Sequence, residues 1–156
     1  MTVELRRAVP ADIEPLLAFW VIAAEGTDRV DSADAVRQLL ARDPDALLLA
    51  VDGTEIVGSL IAGWDGWRCH LYRFAVHPQR RRRGIGRALI DAAEARFAEL
   101  GGHRADAMVL DDNTPAHGSW SAAGYRRQPE WSRWVKALAS PSTVSSPTVI
   151  RVTTGQ

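Results

Sequence analysis

Arg73-Phe74-Ala75-Val76-His77-Pro78-Gln79-Arg80-Arg81-Arg82-Arg83-Gly84-Ile85-Gly86-Arg87-Ala88-Leu89 joins a β-type run to a helix start through a basic, glycine-bearing turn. Such a junction is an anion site. Glycines let the main chain approach a ligand closely, and the first N–H groups of a helix have no intrahelical acceptor, so they point outward at whatever anion sits there. Arg81, Arg82, Arg83 and Arg87 add fixed positive charge around those amides.

Other readings of this junction are weaker, and for the arginine run alone a solvated charged turn is the plainer one. A nucleic-acid patch would sit in a broadly basic chain, whereas 19 Lys+Arg balance 19 Asp+Glu here. A dinucleotide fingerprint needs a third glycine where Leu89 stands, and a phosphate-binding NTPase loop needs Lys-Ser/Thr where Arg87-Ala88 stands.

The remaining pattern is Val76-His77-Pro78 followed by Arg81-Arg82-Arg83-Gly84-Ile85-Gly86, with a second block of Asn113-Thr114-Pro115-Ala116, Trp120 and Gly124-Tyr125. Together they resemble the GNAT superfamily of N-acetyltransferases. That family carries Gln/Arg-x-x-Gly-x-Gly/Ala after a strand ending in Val-x-Pro, then Asn-x-x-Ala, an aromatic and Gly-Phe/Tyr. The resemblance covers roughly Arg73 to Tyr125. It implies an α/β (α+β) fold with a mixed central sheet of six to seven strands flanked by helices. It also implies acetyl-CoA as donor, no metal, and transfer to a primary amine by direct attack in a ternary complex.

Composition agrees with a single domain over 1–138. The chain has 156 residues, 46% of them hydrophobic, enough for one core and too few for two. The one cysteine, Cys69, has no internal partner and reads as a small buried apolar residue in a reducing, cytoplasmic setting. The longest apolar run, Leu16 to Ala24, is too short to span a bilayer, so no membrane is expected as a partner, and the balanced charge argues against nucleic acid. A homodimer is compatible with this composition. After Ala139 a Ser/Pro/Thr-rich tail, 139–156, carries a β-prone stretch at 148–154 that suits an added edge strand.

Along the chain, Val3–Val9 reads as a strand, and Pro10-Ala11-Asp12 opens a helix that Gly26 ends. Ser32 caps a helix over Ala33–Arg42. Ala46–Val51 and Glu55–Trp64 form a hairpin at Asp52-Gly53, and Asp65-Gly66 turns into the strand Cys69–Val76. A helix over Gly86–Leu100, a strand at Ala105–Leu110, a short helix Pro115–Ala123 and a late strand Trp131–Leu138 complete the pattern.

An amine attacks a thioester only when neutral, and an alkyl ammonium titrates near 10.4, so a base must take its proton. Strict alternation puts His70, Tyr72, Phe74 and Val76 on one face. In several GNAT members the base is a glutamate six residues before the valine, where this chain has His70, whose imidazole suits a base at neutral pH. A half-exposed hydrogen-bonding role is its plainer reading. Tyr72 brings a hydroxyl beside it, or simply packs on the sheet.

The resemblance implies that the main chain of Phe74, Ala75 and Val76 binds the pantetheine. It assigns the pyrophosphate to Arg81, Arg82, Arg83, Gly84, Ile85, Gly86, Arg87 and Ala88, with Asn113 and Ala116 holding the cofactor arm from the opposing side. Asn113 also reads as an ordinary helix cap. Family members that protonate the leaving thiolate usually do so from a tyrosine where this chain has Trp120, whose indole N–H is no useful acid. Trp120 then lines the arm or belongs to the core.

For the acceptor the family uses the first two helices, their connection and the late strands. Trp64, Trp67 and Trp131, with Glu25, Asp28, Asp31, Asp65 and Glu130, suit a cationic amine with an apolar body. Two other classes stay open: a catalytically weak acetyl-CoA-binding module, and a nucleic-acid-associated protein using the arginine run.

Overall fold

The computed structural model describes residues 2–23 and 31–139. A five-stranded sheet has the order β1 (Val3–Arg7), β2 (Leu47–Asp52), β3 (Glu55–Trp64), β4 (Cys69–Val76) and β5 (Ala105–Ala107). The first three junctions are antiparallel and β4–β5 is parallel. A 3-10 turn, Pro10–Asp12, leads into helix α1 (Ile13–Ala23), α2 (Ala33–Arg42) follows, and a second 3-10 turn, Pro78–Arg80, comes after β4. Ser32 caps α2 by accepting the Ala35 N–H at 3.1 Å. Helices α3 (Ile85–Glu99) and α4 (Thr114–Ala122) complete the elements.

Sequence patterning explains the layers. In β3, alternate residues face opposite sides. Ile61 joins Leu16, Phe19, Trp20, Val36 and Leu49 in a core under α1 and α2. Leu60 and Ala62 join Leu71, Ile85, Leu89, Ile90, Ala93 and Phe97 under α3. Each such large apolar side chain, fully buried, contributes about 1.5–3 kcal/mol, so α3 is held by its apolar stripe more than by its own propensity.

Glycines set how closely α3 approaches the sheet. A Cβ on Gly58 would lie 2.9 Å from Leu89 Cδ1, and one on Gly86 would lie 2.9 Å from Phe74 Cζ. Gly86 therefore faces the sheet, and its lack of a side chain serves helix–strand packing. Gly86→Ala is expected to lower stability by about 1–3 kcal/mol through overpacking, measured as a loss of the chemical-denaturation midpoint. An unchanged midpoint would show that Phe74 moves aside freely.

The ladder between β3 and β4 slips once: Ser59 pairs with Ala75, but Ile61 pairs with Tyr72. The extra residue on β4 is a β-bulge at Arg73, whose φ is 53°. The bulge reverses the alternation, and this corrects the expected common face. Cys69 and Leu71 pack under α3, and beyond the bulge so do Phe74 and Val76, while Ala75 packs under α1. His70 and Tyr72 lie on the α1/α2 side. A period of two holds only within an unbroken ladder.

Other expectations need adjustment. Five strands form among the described residues, against six to seven expected. Pairing of the fifth strand stops at Ala107 rather than Leu110. Trp131–Leu138 is not a strand. This segment belongs to a second compact unit, Arg127–Gln156, distinct from Met1–Arg126. Within that unit it has no ladder to satisfy its main chain, and both of its faces are exposed, with Trp131 at 73% and Trp134 at 94%. Residues 140–156, including the proposed edge strand at 148–154, lie outside the described residues, as do Glu25 and Asp28.

Candidate functional site

Gly84 precedes α3 with φ 83°, a left-handed conformation that glycine adopts without cost, and a side chain there would meet nothing within 4 Å. The first helical bond runs from the Ala88 N–H to the Gly84 carbonyl at 3.0 Å. The N–H groups of Ile85, Gly86 and Arg87 therefore have no acceptor within the helix, which makes the helix start an open anion site. Arg82, also left-handed at φ 59°, is exposed in the turn, as is Arg83.

Other arginines of the turn tie it to its surroundings. Arg81 Nε donates to the Val76 carbonyl at 3.3 Å, tying the loop to the end of β4. Arg87 pairs with Asp91 at 2.7 Å and donates to the Ala122 carbonyl at 3.2 Å. It therefore links α3 to the end of α4. Arg80 bonds Asp52 at 3.1 Å and Glu55 at 3.4 Å.

β4 meets β5 over only three rungs, Cys69–Ala105, His70–Asp106 and Leu71–Ala107. From Tyr72 to Val76 it keeps β3 on one side, and among the described residues no strand pairs with its other edge. The main chain of Phe74, Ala75 and Val76 thus lies along an open strand edge that leads to the anion site. On the α3 side of this edge, the rings of Phe74 and Trp120 lie 5.0 Å apart, tilted by 56°, and Trp120 meets Tyr125 edge-on at 5.0 Å. Trp120 is only 6% exposed, a core residue that anchors α4. Tyr125 donates to Glu94 at 3.0 Å; burial and that carboxylate push its phenol far up, so it stays protonated.

Asn113 caps α4, its Oδ1 accepting the Ala116 N–H at 3.3 Å. The cap reading of Asn113 therefore holds, and Ala116 packs against the α3-side core.

His70 Nδ1 stands 2.9 Å from Asp106 Oδ1. A carboxylate only accepts, so Nδ1 is the donor in this contact, and in the neutral ring the lone pair falls on Nε2. Tyr72 lies on the same face, 41% exposed. A Cβ on Gly63, the residue opposite His70, would lie 3.0 Å from Tyr72 Cε1 and 3.5 Å from its hydroxyl. The missing side chain at Gly63 gives the Tyr72 ring its place next to His70. Burial, and the charge of Asp43, raise the Tyr72 phenol above its ordinary range, which makes it a donor at neutral pH.

Asp65 accepts the Trp67 and Arg68 N–H groups at 2.8 and 2.6 Å, and those two bonds hold its carboxyl below the usual range. Trp67, on this turn, is 85% exposed. Trp64 is elsewhere: paired with Cys69, it packs under α3 beside Gly102, on the sheet face opposite His70 and Tyr72. Strand parity therefore separates Trp64 from His70 and Tyr72. Trp131 belongs to the second unit. Cys69 is buried, and burial raises its thiol, so it is no nucleophile.

Asp106 escaped the sequence reading. A polar residue between Ala105 and Ala107 was its only local signal, and the register that brings it to His70, 36 positions away, is set by the sheet. No group of three or more metal-ligating side chains occurs among the described residues, and none of their helices is long and apolar enough to cross a membrane.

The sequence pattern of the acetyltransferase (GNAT) family matches residues 13–125. An acetyltransferase of Pectobacterium atrosepticum is 33% identical over 122 residues, 78% of this chain and 86% of its relative. One from Yersinia enterocolitica is 30% identical over 125 residues, 80% and 89% of the two chains. Among solved structures, Ard1 from Thermoplasma volcanium superposes with a TM-score of 0.69 at 22% identity, covering 80% of this chain and 82% of that one. Chaetomium thermophilum Naa20, in complex with a bisubstrate analogue, gives 0.66 at 21% identity, covering 77% and 69%. The chain belongs to the GNAT family of acetyltransferases.

Proposed function

We propose that this enzyme transfers the acetyl group of acetyl-CoA to a primary amine by direct attack in a ternary complex, with His70 as general base and Asp106 as the residue that orients it. The observation that carries this reading is the 2.9 Å contact from His70 Nδ1 to Asp106, which leaves Nε2 available. The pyrophosphate lies on the amides of Ile85, Gly86 and Arg87 in the turn held by Gly84, with Arg82 and Arg83 beside it. The pantetheine runs along the open edge of Phe74–Val76, whose N–H groups polarise the thioester carbonyl.

Nε2 takes the ammonium proton, directly or through one water. The neutral nitrogen attacks the thioester carbon, charge builds on the carbonyl oxygen, the C–S bond breaks to release the thiolate, and the nitrogen gives up its second proton to solvent, from which the thiolate takes one, leaving the neutral amide and thiol. A thiol of this kind titrates near 8.5, a tolerable leaving group, so protonation from water or from Tyr72 suffices although Trp120 offers no acid. Tyr72, Asp65, Asp106 and Trp67 favour a cationic acceptor.

Initial rates measured by thiol release, with acetyl-CoA and a panel of primary alkylamines and short peptides both varied, should give intersecting lines. Parallel lines would replace the ternary complex by a covalent acyl-enzyme, for which buried Cys69 is unsuited. Release no faster than spontaneous hydrolysis with every amine would favour the acetyl-CoA-binding module.

A further inference from the structure

Arg73 holds a left-handed conformation that residues with a side chain rarely adopt unless their surroundings impose it. Here the surroundings are specific. Ser59, fully buried, accepts the Trp20 indole N–H at 2.9 Å and donates its hydroxyl to the Arg73 carbonyl at 2.9 Å. The Arg73 guanidinium lies over the Trp20 ring, 5.1 Å from its centre, and pairs with Asp31 at the approach to α2. Among the described residues no buried side-chain nitrogen or oxygen lacks a partner, so this polar cluster is satisfied throughout.

The cluster sits where the face switch of β4 occurs. On one side of Arg73 are His70 and Tyr72, facing α1 and α2; on the other is the open edge of Phe74–Val76. We infer that Ser59 and Arg73 are positioning residues: by fixing the bulge they set the distance and angle between the base at His70 and the thioester held along Phe74–Val76. This rests on the reading of His70 and of that edge given above. Neither residue touches a reactant; both act through the main chain of β4. An unlocked bulge would let the two halves of the strand move separately, and misplacement of about 1 Å between reacting groups costs up to about 100-fold in rate.

The test compares Ser59→Ala, Arg73→Ala and Arg73→Gly. Glycine adopts the left-handed conformation without help and keeps the carbonyl that Ser59 bonds, so Arg73→Gly separates bulge geometry from the guanidinium. Calorimetry should show that all three still bind coenzyme A at the wild-type stoichiometry, with affinity lowered less than kcat, because the pyrophosphate anchor at the Gly84 turn is untouched and only the pantetheine contacts along Phe74–Val76 shift with the bulge. With the amine that the wild type acetylates fastest, kcat should fall about tenfold or more in Ser59→Ala and Arg73→Ala, and recover at least half of that loss, on a logarithmic scale, in Arg73→Gly. Amide hydrogen exchange over 72–76 should quicken about tenfold in Ser59→Ala while that of 89–93 in α3 stays fixed, a readout needing no amine. Wild-type kcat in Ser59→Ala, equal losses in the two Arg73 variants, or unchanged exchange over 72–76 would each overturn the inference. Failure of the base reading looks different: His70→Gln would then keep its activity while the Ser59 and Arg73 variants still lose theirs.

Discussion

His70→Gln is expected to lower kcat by about 10²–10⁴, the usual worth of a general base, without weakening acetyl-CoA binding. Glutamine can still donate to Asp106, so the second partner of the 2.9 Å contact is not stranded, but it has no lone pair that accepts a proton near neutral pH. A general base acts only in its unprotonated form, so kcat/KM of the wild type should fall toward acid. That limb should vanish in His70→Gln, leaving a low, flat profile. Tyr72 is a poor substitute, since burial and Asp43 keep its phenol protonated. A His70→Gln enzyme with the wild-type profile would assign the proton transfer to another group or to water.

Asp106 belongs to the same experiment as the orienting partner. Its removal leaves the imidazole present but free to adopt either tautomer, and a smaller loss than that of His70→Gln is the signature of orientation as distinct from proton transfer.

Local chemistry made most of the framework legible. Ser32 caps the helix it was expected to cap. Asp52-Gly53 turns the β2–β3 hairpin, Gly53 having φ 63°. The glycine of the basic turn marks the start of α3. Each of these signals lies within a few residues of its consequence. What stayed hidden depends on partners distant in sequence. The bulge at Arg73 is held by Ser59, 14 positions away, and Ser59 in turn by Trp20, 39 positions before it, so nothing within Cys69–Val76 announces that alternation breaks there. His70 meets Asp106 through a three-rung parallel ladder. Trp64 was grouped with the acceptor residues by composition, and only strand pairing with Cys69 places it on the other face.

The two glycines of the basic turn serve different ends. Gly86 points into the sheet against Phe74, whereas Gly84 faces open space at the helix start. A charge test of the pyrophosphate site therefore belongs at Gly84. Gly84→Asp should fold, because aspartate is among the side chains that tolerate the left-handed region, and a carboxylate at a helix N-terminus interacts favourably with it. That carboxylate would compete for the amides of Gly86 and Arg87 and repel the incoming phosphates. Hydrogen bonds to charged groups are worth about 1.5–3 kcal/mol each, so losing two should weaken coenzyme A binding by about 100-fold or more. Gly84→Ala, with the strain but no charge, should lose far less affinity. Calorimetry with coenzyme A on both variants, alongside thermal melts, separates charge from strain. Wild-type affinity in a folded Gly84→Asp protein would remove the helix start from the binding site and leave Arg82 and Arg83 to carry it.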